Sequence, residues 1–282
     1  MARDDLVAGR LARALETRFG EKFAVDAAQP GLADLAHLAE HRSHRTYDAQ
    51  PVAPALLRLL FACALSAPSK SDLQQGDIVL VADVAKRKAI ASLIPDMPWV
   101  KAAPVFLIFC GNNRRQRQLA EWRGKPFVND HLDAFMNAAV DAGIVLANFI
   151  RAASAAGLGC CPISAVRNHA AAISDLLELP DWVFPLAGLC VGYPAEAGKI
   201  TPRLPLAVTV HTDRFTETDT RAQIDAYDQR RAKLVPYAKQ RDNSRFGKVK
   251  LYGWSEDKAR QYAEPERADW GAFIKARGFR LE

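Results

Sequence analysis

Residues 131–157 constrain this chain more than any other segment. Their pattern is helical, and small side chains crowd it: Ala134, Ala138, Ala139, Ala142, Gly143, Ala147, Ala152, Ala153, Ala155 and Ala156. So slim a helix lets a neighbour approach closely. The segment is therefore expected to be the central, tightly packed helix of the fold, ended by Gly157 and Gly159.

Shorter elements flank it. Apolar periodicity predicts helices over Leu6–Phe19, Leu32–Glu40, Pro54–Ser66, Val84–Leu93 and Ala165–Leu179, with Pro54 an apt first-turn residue. Short apolar runs predict strands over Ile78–Val81, Pro104–Cys110, Cys160–Ile163 and Pro185–Gly192, and Leu204–Val210 reads as a last extended segment. Strands so few and short, alternating with helices, imply an α+β fold with helices around one sheet.

With 282 residues, 49% hydrophobic and 25% charged, the chain has the composition of a globular enzyme with a sizeable core. The net charge of +6 comes from scattered Lys and Arg rather than one basic block. No nucleic-acid partner is expected, and an enzyme for phosphorylated ligands accounts for the same excess. No run approaches the roughly 20 uninterrupted apolar residues of a membrane span. Asp4 and Asp5 stand where a signal peptide would be basic, so a cytoplasmic location without a membrane partner is expected.

The cysteines at 63, 110, 160, 161 and 190 lack Cys-x-x-Cys spacing and read as buried reduced thiols. The adjacent Cys160-Cys161 pair leaves a redox-sensor reading open. The histidines show no ligand spacing apart from His41/His44, and no metal is expected. Neither a nucleophile elbow nor a phosphate loop occurs, which argues against hydrolase and NTPase chemistry.

After about residue 215 the chain changes character. Residues 216–282 hold fifteen Lys and Arg against eleven Asp and Glu, and nine of the 24 aromatics. A disordered tail would be poor in aromatics. Spaced aromatic anchors suit an arm lying along another surface, such as a partner subunit.

Four segments carry candidate chemistry. His41-Arg42-Ser43-His44-Arg45 offers two guanidiniums and a hydroxyl, suited to a phosphate, though a solvated helix start would look the same. Ser66-Ala67-Pro68-Ser69-Lys70-Ser71, with Gln74, offers hydroxyls and exposed amides for a polar heterocycle, or is a plain helix end and turn. Gly157-Leu158-Gly159-Cys160-Cys161-Pro162-Ile163-Ser164 has no third glycine and does not open a helix after a strand, so no dinucleotide fingerprint is present. Its glycines either cap the alanine-rich helix or let backbone approach a flat ring. The last, Thr201-Pro202-Arg203-Leu204-Pro205, stiffens an arginine between two prolines.

In this order and at these separations, the four segments resemble the nitroreductase/flavin reductase family, nearest its oxygen-insensitive, NADPH-dependent branch with a C-terminal extension. The resemblance implies a nitroreductase-like α+β fold: a mainly antiparallel central sheet surrounded by helices, with an extended C-terminal arm. It divides the chain into an N-terminal helical extension (1–36), an FMN-binding domain (37–215) and an arm packing on the core or a partner subunit (216–282). It further implies a homodimer that passes two electrons from NADPH or NADH, by a ping-pong route through FMN, to a small-molecule acceptor such as a nitroaromatic, a quinone or a flavin. Reductive dehalogenation, ene reduction or flavin breakdown on the same fold are the alternatives.

Residue by residue, the family's FMN phosphate and ribityl segment falls on His41, Arg42, Ser43 and Arg45. Its flavin-bordering loop falls on Ser69, Lys70, Ser71 and Gln74. The backbone facing the isoalloxazine edge falls on Pro162, Ile163, Ser164 and Ala165. The arginine of its Lys-Pro-Arg phosphate clamp falls on Arg203, with Thr201 in the lysine's place and Lys199 nearby. Arg241, Arg245 and Arg267 are the candidates for meeting the nicotinamide cofactor's phosphate or the substrate. The resemblance supplies no protein acid or base.

Overall fold

The computed structural model describes residues 3–282. In chain order its helices and strands are α1 (Arg3–Phe19), α2 (Leu32–Ala39), α3 (Pro54–Leu65), β1 (Gly76–Leu80), α4 (Val84–Leu93), α5 (Trp99–Ala102), β2 (Val105–Asn112), α6 (Arg114–Trp122) and α7 (Leu132–Ala155). They continue with β3 (Gly159–Ile163), α8 (Ala170–Leu176), β4 (Val183–Gly192), α9 (Leu206–Thr209), α10 (Thr220–Leu234), α11 (Asn243–Phe246), α12 (Trp254–Tyr262) and α13 (Trp270–Ala276). These form two compact units, one of Met1–Arg42 with Lys199–Glu266 and the other of Ser43–Gly198 with Arg267–Glu282.

The second unit is built on one antiparallel sheet in the order β1-β2-β4-β3. Strand β2 is buried along its whole length, so period-2 alternation feeds two cores at once. Leu107 and Phe109 join Leu60 of α3 and Phe149 of α7 on one face. Phe106 and Ile108 join Ile90 of α4, Val100 of α5 and Ile173 of α8 on the other.

Helix α7 is central, as its small residues imply. By length and composition alone it could cross a membrane. Here it is a core helix, with Ala138, Ala142, Phe149 and Ala153 fully buried. Strand β1 lies so close to it that a Cβ on Gly76 would stand 2.9 Å from Val145 and 3.3 Å from the Ala142 Cα. Gly157, at φ 77°, ends the helix in a Schellman motif: the Leu158 N–H reaches the Ala153 carbonyl (2.8 Å) and the Gly157 N–H that of Ser154 (3.0 Å). The last helix, α13, closes the end of this unit, with Ile274 and Phe279 buried beside Phe184 and Ala138.

In the first unit α1 and α2 bury Ala8, Leu11 and Ala14 against Leu32, Ala36 and Ala39. Helices α10 and α12 are joined through the buried Asp228 carboxylate, which accepts the Ser255 N–H (3.1 Å) and its hydroxyl.

Two expectations need correction. Leu204–Val210 is not extended: Pro205 sits at the N-cap of α9, a single helical turn. The helix expected over 165–179 starts as 3-10 turns at Ser164–His169 and is α-helical only over Ala170–Leu176.

Candidate functional site

In the second unit the loop before β1 is bent by three residues in the left-handed region, Ser71 (φ 49°), Asp72 (57°) and Gln74 (52°). Such conformations cost a non-glycine residue about 1 kcal/mol or more and persist only when the surroundings enforce them. Asp141, buried on α7, does the enforcing. Its carboxylate accepts the Ser69 hydroxyl (2.8 Å) and the backbone N–H groups of Lys70 (3.2 Å) and Gln75 (3.0 Å). Ser69 Oγ in turn accepts the Gln74 N–H at 2.7 Å.

Helix α6 holds the far side of this loop. Arg115 donates to the Gln74 carbonyl (2.5 Å) and to Asp77 (2.6 Å), while Gln116 donates to the Leu73 carbonyl (2.6 Å). A cavity of about 350 Å³ lies there, lined by Ser69, Gln74, Asp77, Arg115 and Asp141 among others. Lys70 and Ser71 are exposed, and Lys70 Nζ meets Asp133 at 3.1 Å.

The same unit joins two segments that are far apart in sequence. Ser43 forms a parallel bridge with Cys160, and the His44 N–H donates to the Cys160 carbonyl at 2.9 Å. The His44 ring occupies the space over Gly159, where a Cβ would stand 2.7 Å from it. Strand β3 then runs to Ile163 and on to Ala165, with Pro162 and Ser164 exposed and Ile163 and Ala165 buried. Tyr47 clamps the segment, its hydroxyl donating to the His44 carbonyl (2.6 Å), and Arg45 lies over the Trp99 ring at 5.4 Å. Burial, then the neighbouring cysteines, push the Tyr47 hydroxyl well above its ordinary pKa, so it stays a neutral donor.

Alternation along β3 sends Cys160 into the core beneath α3 and α7, and Cys161 into the core on the other face. Burial raises the pKa of both thiols. Thiols that diverge and resist ionisation are poorly suited to sensing.

In the first unit the buried Arg18 is the hub. Its guanidinium donates to the carbonyls of Ala39 (2.6 Å), His41 and Thr201 (3.1 Å), and its own carbonyl accepts the Arg203 N–H at 2.6 Å. Burial, followed by the positive charges of Arg203 and Arg42, draws its pKa down to about 10, so it is still a cation at neutral pH. Arg203 is exposed and rests on the Thr201 hydroxyl at 2.8 Å. Among the described residues, the buried Arg42 Nε has no hydrogen-bond partner. A cavity of about 860 Å³ is lined here by Arg18, His41, Thr201, Arg203, Tyr227 and Arg231 among others.

Arg241 and Arg245 are exposed in the same unit and ion-paired, with Asp257 (3.8 Å) and Glu264 respectively. Arg267 is in the second unit, at φ 58°, donating to Asn168 at 2.7 Å.

Three organising residues escaped the sequence reading: Asp141, Arg18 and Arg115. An acid in the middle of the alanine-rich segment, flanked by Val140 and Ala142, was the available signal for Asp141. Arg18 and Arg115 carry no comparable mark.

Most of the chain can be set beside known proteins. Residues 38–193 match the Nitroreductase family, and residues 201–282 match the Nitroreductase family, C-terminal domain. The chain belongs to the nitroreductase family. This nitroreductase-family chain is 35% identical to the FMN reductase (NAD(P)H) of Bacillus subtilis (strain 168), over 88% of its own length and 98% of that protein's. It is 32% identical to the NADPH-flavin oxidoreductase of Vibrio harveyi, over 84% and 94% of the two chains. Among solved structures, B. megaterium NfrA2 superimposes with a TM-score of 0.80 at 32% identity, covering 88% of this nitroreductase-family chain and 98% of its own. Residues 1–37, with all of α1, lie outside both family segments.

Proposed function

We propose that this protein is an FMN-dependent NAD(P)H oxidoreductase that reduces nitroaromatics, quinones or flavins by a ping-pong route. The observation that carries the reading is the Ser43–Cys160 bridge. It lays the candidate phosphate segment against the strand that leads into the candidate ring-facing backbone, Pro162 to Ala165.

The residues fit the group. The buried Arg42 Nε has no partner among the described residues, and a cavity lined by Arg18, Arg203 and Arg231 is rich in donors suited to a phosphate. His41, Arg42 and Arg203 would hold the phosphate, with Ser43 and Arg45 along the ribityl chain. Ser69, Lys70, Ser71 and Gln74 would border the ring on a loop fixed by Asp141, and Pro162, Ile163, Ser164 and Ala165 would face its edge.

Bound FMN supplies the two-electron chemistry between nicotinamide and acceptor. The chain's part is to bind, orient and stabilise developing negative charge through fixed amides. Protons come from water or from the flavin itself, and no side chain is assigned as acid or base. Arg241, Arg245 and Arg267 are the proposed contacts for the nicotinamide cofactor or substrate. In domain terms, residues 1–36 are an extension, 37–215 the FMN-binding domain and 216–282 the arm.

The active form is a cytoplasmic homodimer in this reading. Leu132, Met136 and Val140 recur every fourth residue along α7 and are 50%, 55% and 46% exposed, and Leu59 and Leu65 of α3 are also bare. A recurring apolar stripe of this kind suits a second copy of the chain.

Steady-state kinetics test the reading. Varying NADPH at several fixed concentrations of a quinone, a nitroaromatic and FMN should give parallel double-reciprocal lines. Intersecting lines would remove the ping-pong route, and turnover confined to halogenated or ene substrates would replace the chemistry.

A further inference from the structure

Arg18 belongs to α1, in the 37 residues that precede the family match. It nevertheless touches both stretches that the proposed function assigns to the flavin phosphate. The Ala39–His41 stretch is held by two guanidinium donations, and the Thr201–Arg203 stretch by a third donation together with the return bond from the Arg203 N–H at 2.6 Å. Arg230 adds a second fastening, donating to the Arg18 carbonyl (3.0 Å) and the Arg203 carbonyl (2.8 Å).

The charge arrangement has a direction. Arg42 and Arg203 stand near enough to Arg18 for their charges to depress its pKa. Glu40 also feels the Arg42 charge, but is committed to Arg10 by hydrogen bonds of 3.1 and 2.6 Å. Gathering like charges is costly without an anion to offset them. A lysine at position 18 could not replace the fork, because one ammonium cannot reach three diverging carbonyls in a plane.

We infer that Arg18 is a positioning residue of the phosphate site: helix α1 supplies the guanidinium that sets the His41–Arg42 and Thr201–Arg203 segments in register to grip one phosphate. This rests on the flavin reading above. It makes the N-terminal extension a working part of cofactor selection, acting through backbone carbonyls and added positive charge.

The test compares two ligands that differ only in the phosphate. FMN and riboflavin are titrated separately into flavin-stripped full-length protein, following the quenching of flavin fluorescence. Variants are Arg18→Met, Arg18→Lys, Arg203→Ala and, as a packing control in the α1–α2 core, Leu11→Ala. Arg18→Met should weaken FMN by about tenfold to a hundredfold, the range that follows when the support behind a metal ligand is lost. Riboflavin should change by less than about threefold, since no charge-assisted bond to it is lost. Arg18→Lys should recover part of the FMN preference through its charge, and Leu11→Ala should leave the FMN-to-riboflavin ratio at the wild-type value even where stability falls.

An unchanged ratio in Arg18→Met and Arg18→Lys, with the ratio lowered in Arg203→Ala, overturns the positioning role and leaves the flavin reading standing. A wild-type protein that does not prefer FMN, or an Arg203→Ala variant with unaltered preference, overturns both. Should Arg18→Met fail to fold, Arg18→Lys against Leu11→Ala decides the question, because equal losses of both flavins would make Arg18 a packing residue only.

Discussion

The Asp141 carboxylate and the Ser69 hydroxyl meet at 2.8 Å, and through this contact α7 dictates the shape of a loop that is far away in sequence. The carboxylate is 1% exposed and satisfies two backbone N–H groups of that loop as well. Asp141→Ala would leave three donors without their acceptor: the buried Gln75 N–H and the part-buried Ser69 hydroxyl and Lys70 N–H. A loss of about 3 kcal/mol in urea unfolding is expected, from the cost of stranded polar groups. Asp141→Asn, which keeps the shape and one acceptor oxygen, should lose less. Both variants should shed flavin more readily on gel filtration than the wild type.

Much of the fold was legible because the core elements obey simple periods. Val105–Asn112 is an apolar run buried on both faces, and Pro54 and Gly157 mark their helix ends as backbone chemistry requires. Helix α6 was not legible. Its sequence is dominated by Arg and Gln, none of its residues is buried, and it is held by polar contacts of Arg115, Gln116 and Arg117 with distant partners. Helix α9 was misread because the apolar pattern of Leu204–Val210 does not reveal that Pro205 starts a turn. For the candidate site, the motif residues could be named, but the residues that hold them could not. Arg18 acts on backbone carbonyls and Asp141 on two backbone N–H groups besides the Ser69 hydroxyl, and backbone atoms leave no signature in side-chain spacing.

Acid should loosen the first unit through Glu40. The hydrogen bond from Arg10, opposed by burial and reinforced by the charges of Arg10, Arg42 and His37, holds this carboxyl below its ordinary 4.5. A depressed folded-state pKa contributes stability above the unfolded value, and that contribution is lost as pH falls through the folded value. Arg10 is half exposed, so the contribution is under about 1 kcal/mol. Urea midpoints measured over roughly pH 3 to 6 should fall toward the acid end, and Glu40→Gln should flatten that limb.

Thiol labelling should follow burial. Cys63 is exposed, whereas Cys110, Cys160, Cys161 and Cys190 are buried, with burial raising the pKa of each buried thiol. Under native conditions a maleimide should modify Cys63 first, with the others reacting only on unfolding. Cys161→Ser should retain NADPH oxidation; its abolition would revive a redox role for that thiol.

Oligomeric state should depend on the apolar stripe of α7. Met136→Lys places a charge among Leu132 and Val140 without touching the buried face of the helix. Analytical ultracentrifugation should show a dimer in the wild type and a shift toward monomer in the variant. A monomeric wild type would leave the stripe without its proposed occupant.

The central claim is most directly tested by two successive anaerobic half-reactions. The purified protein, freed of unbound flavin and reconstituted with one equivalent of FMN, is mixed with NADPH alone, and then with a quinone alone. Bleaching of the flavin's visible absorbance in the first step and its full return in the second is the predicted result. A protein that binds no FMN, or whose bound FMN neither NADPH nor NADH can bleach, would contradict the account.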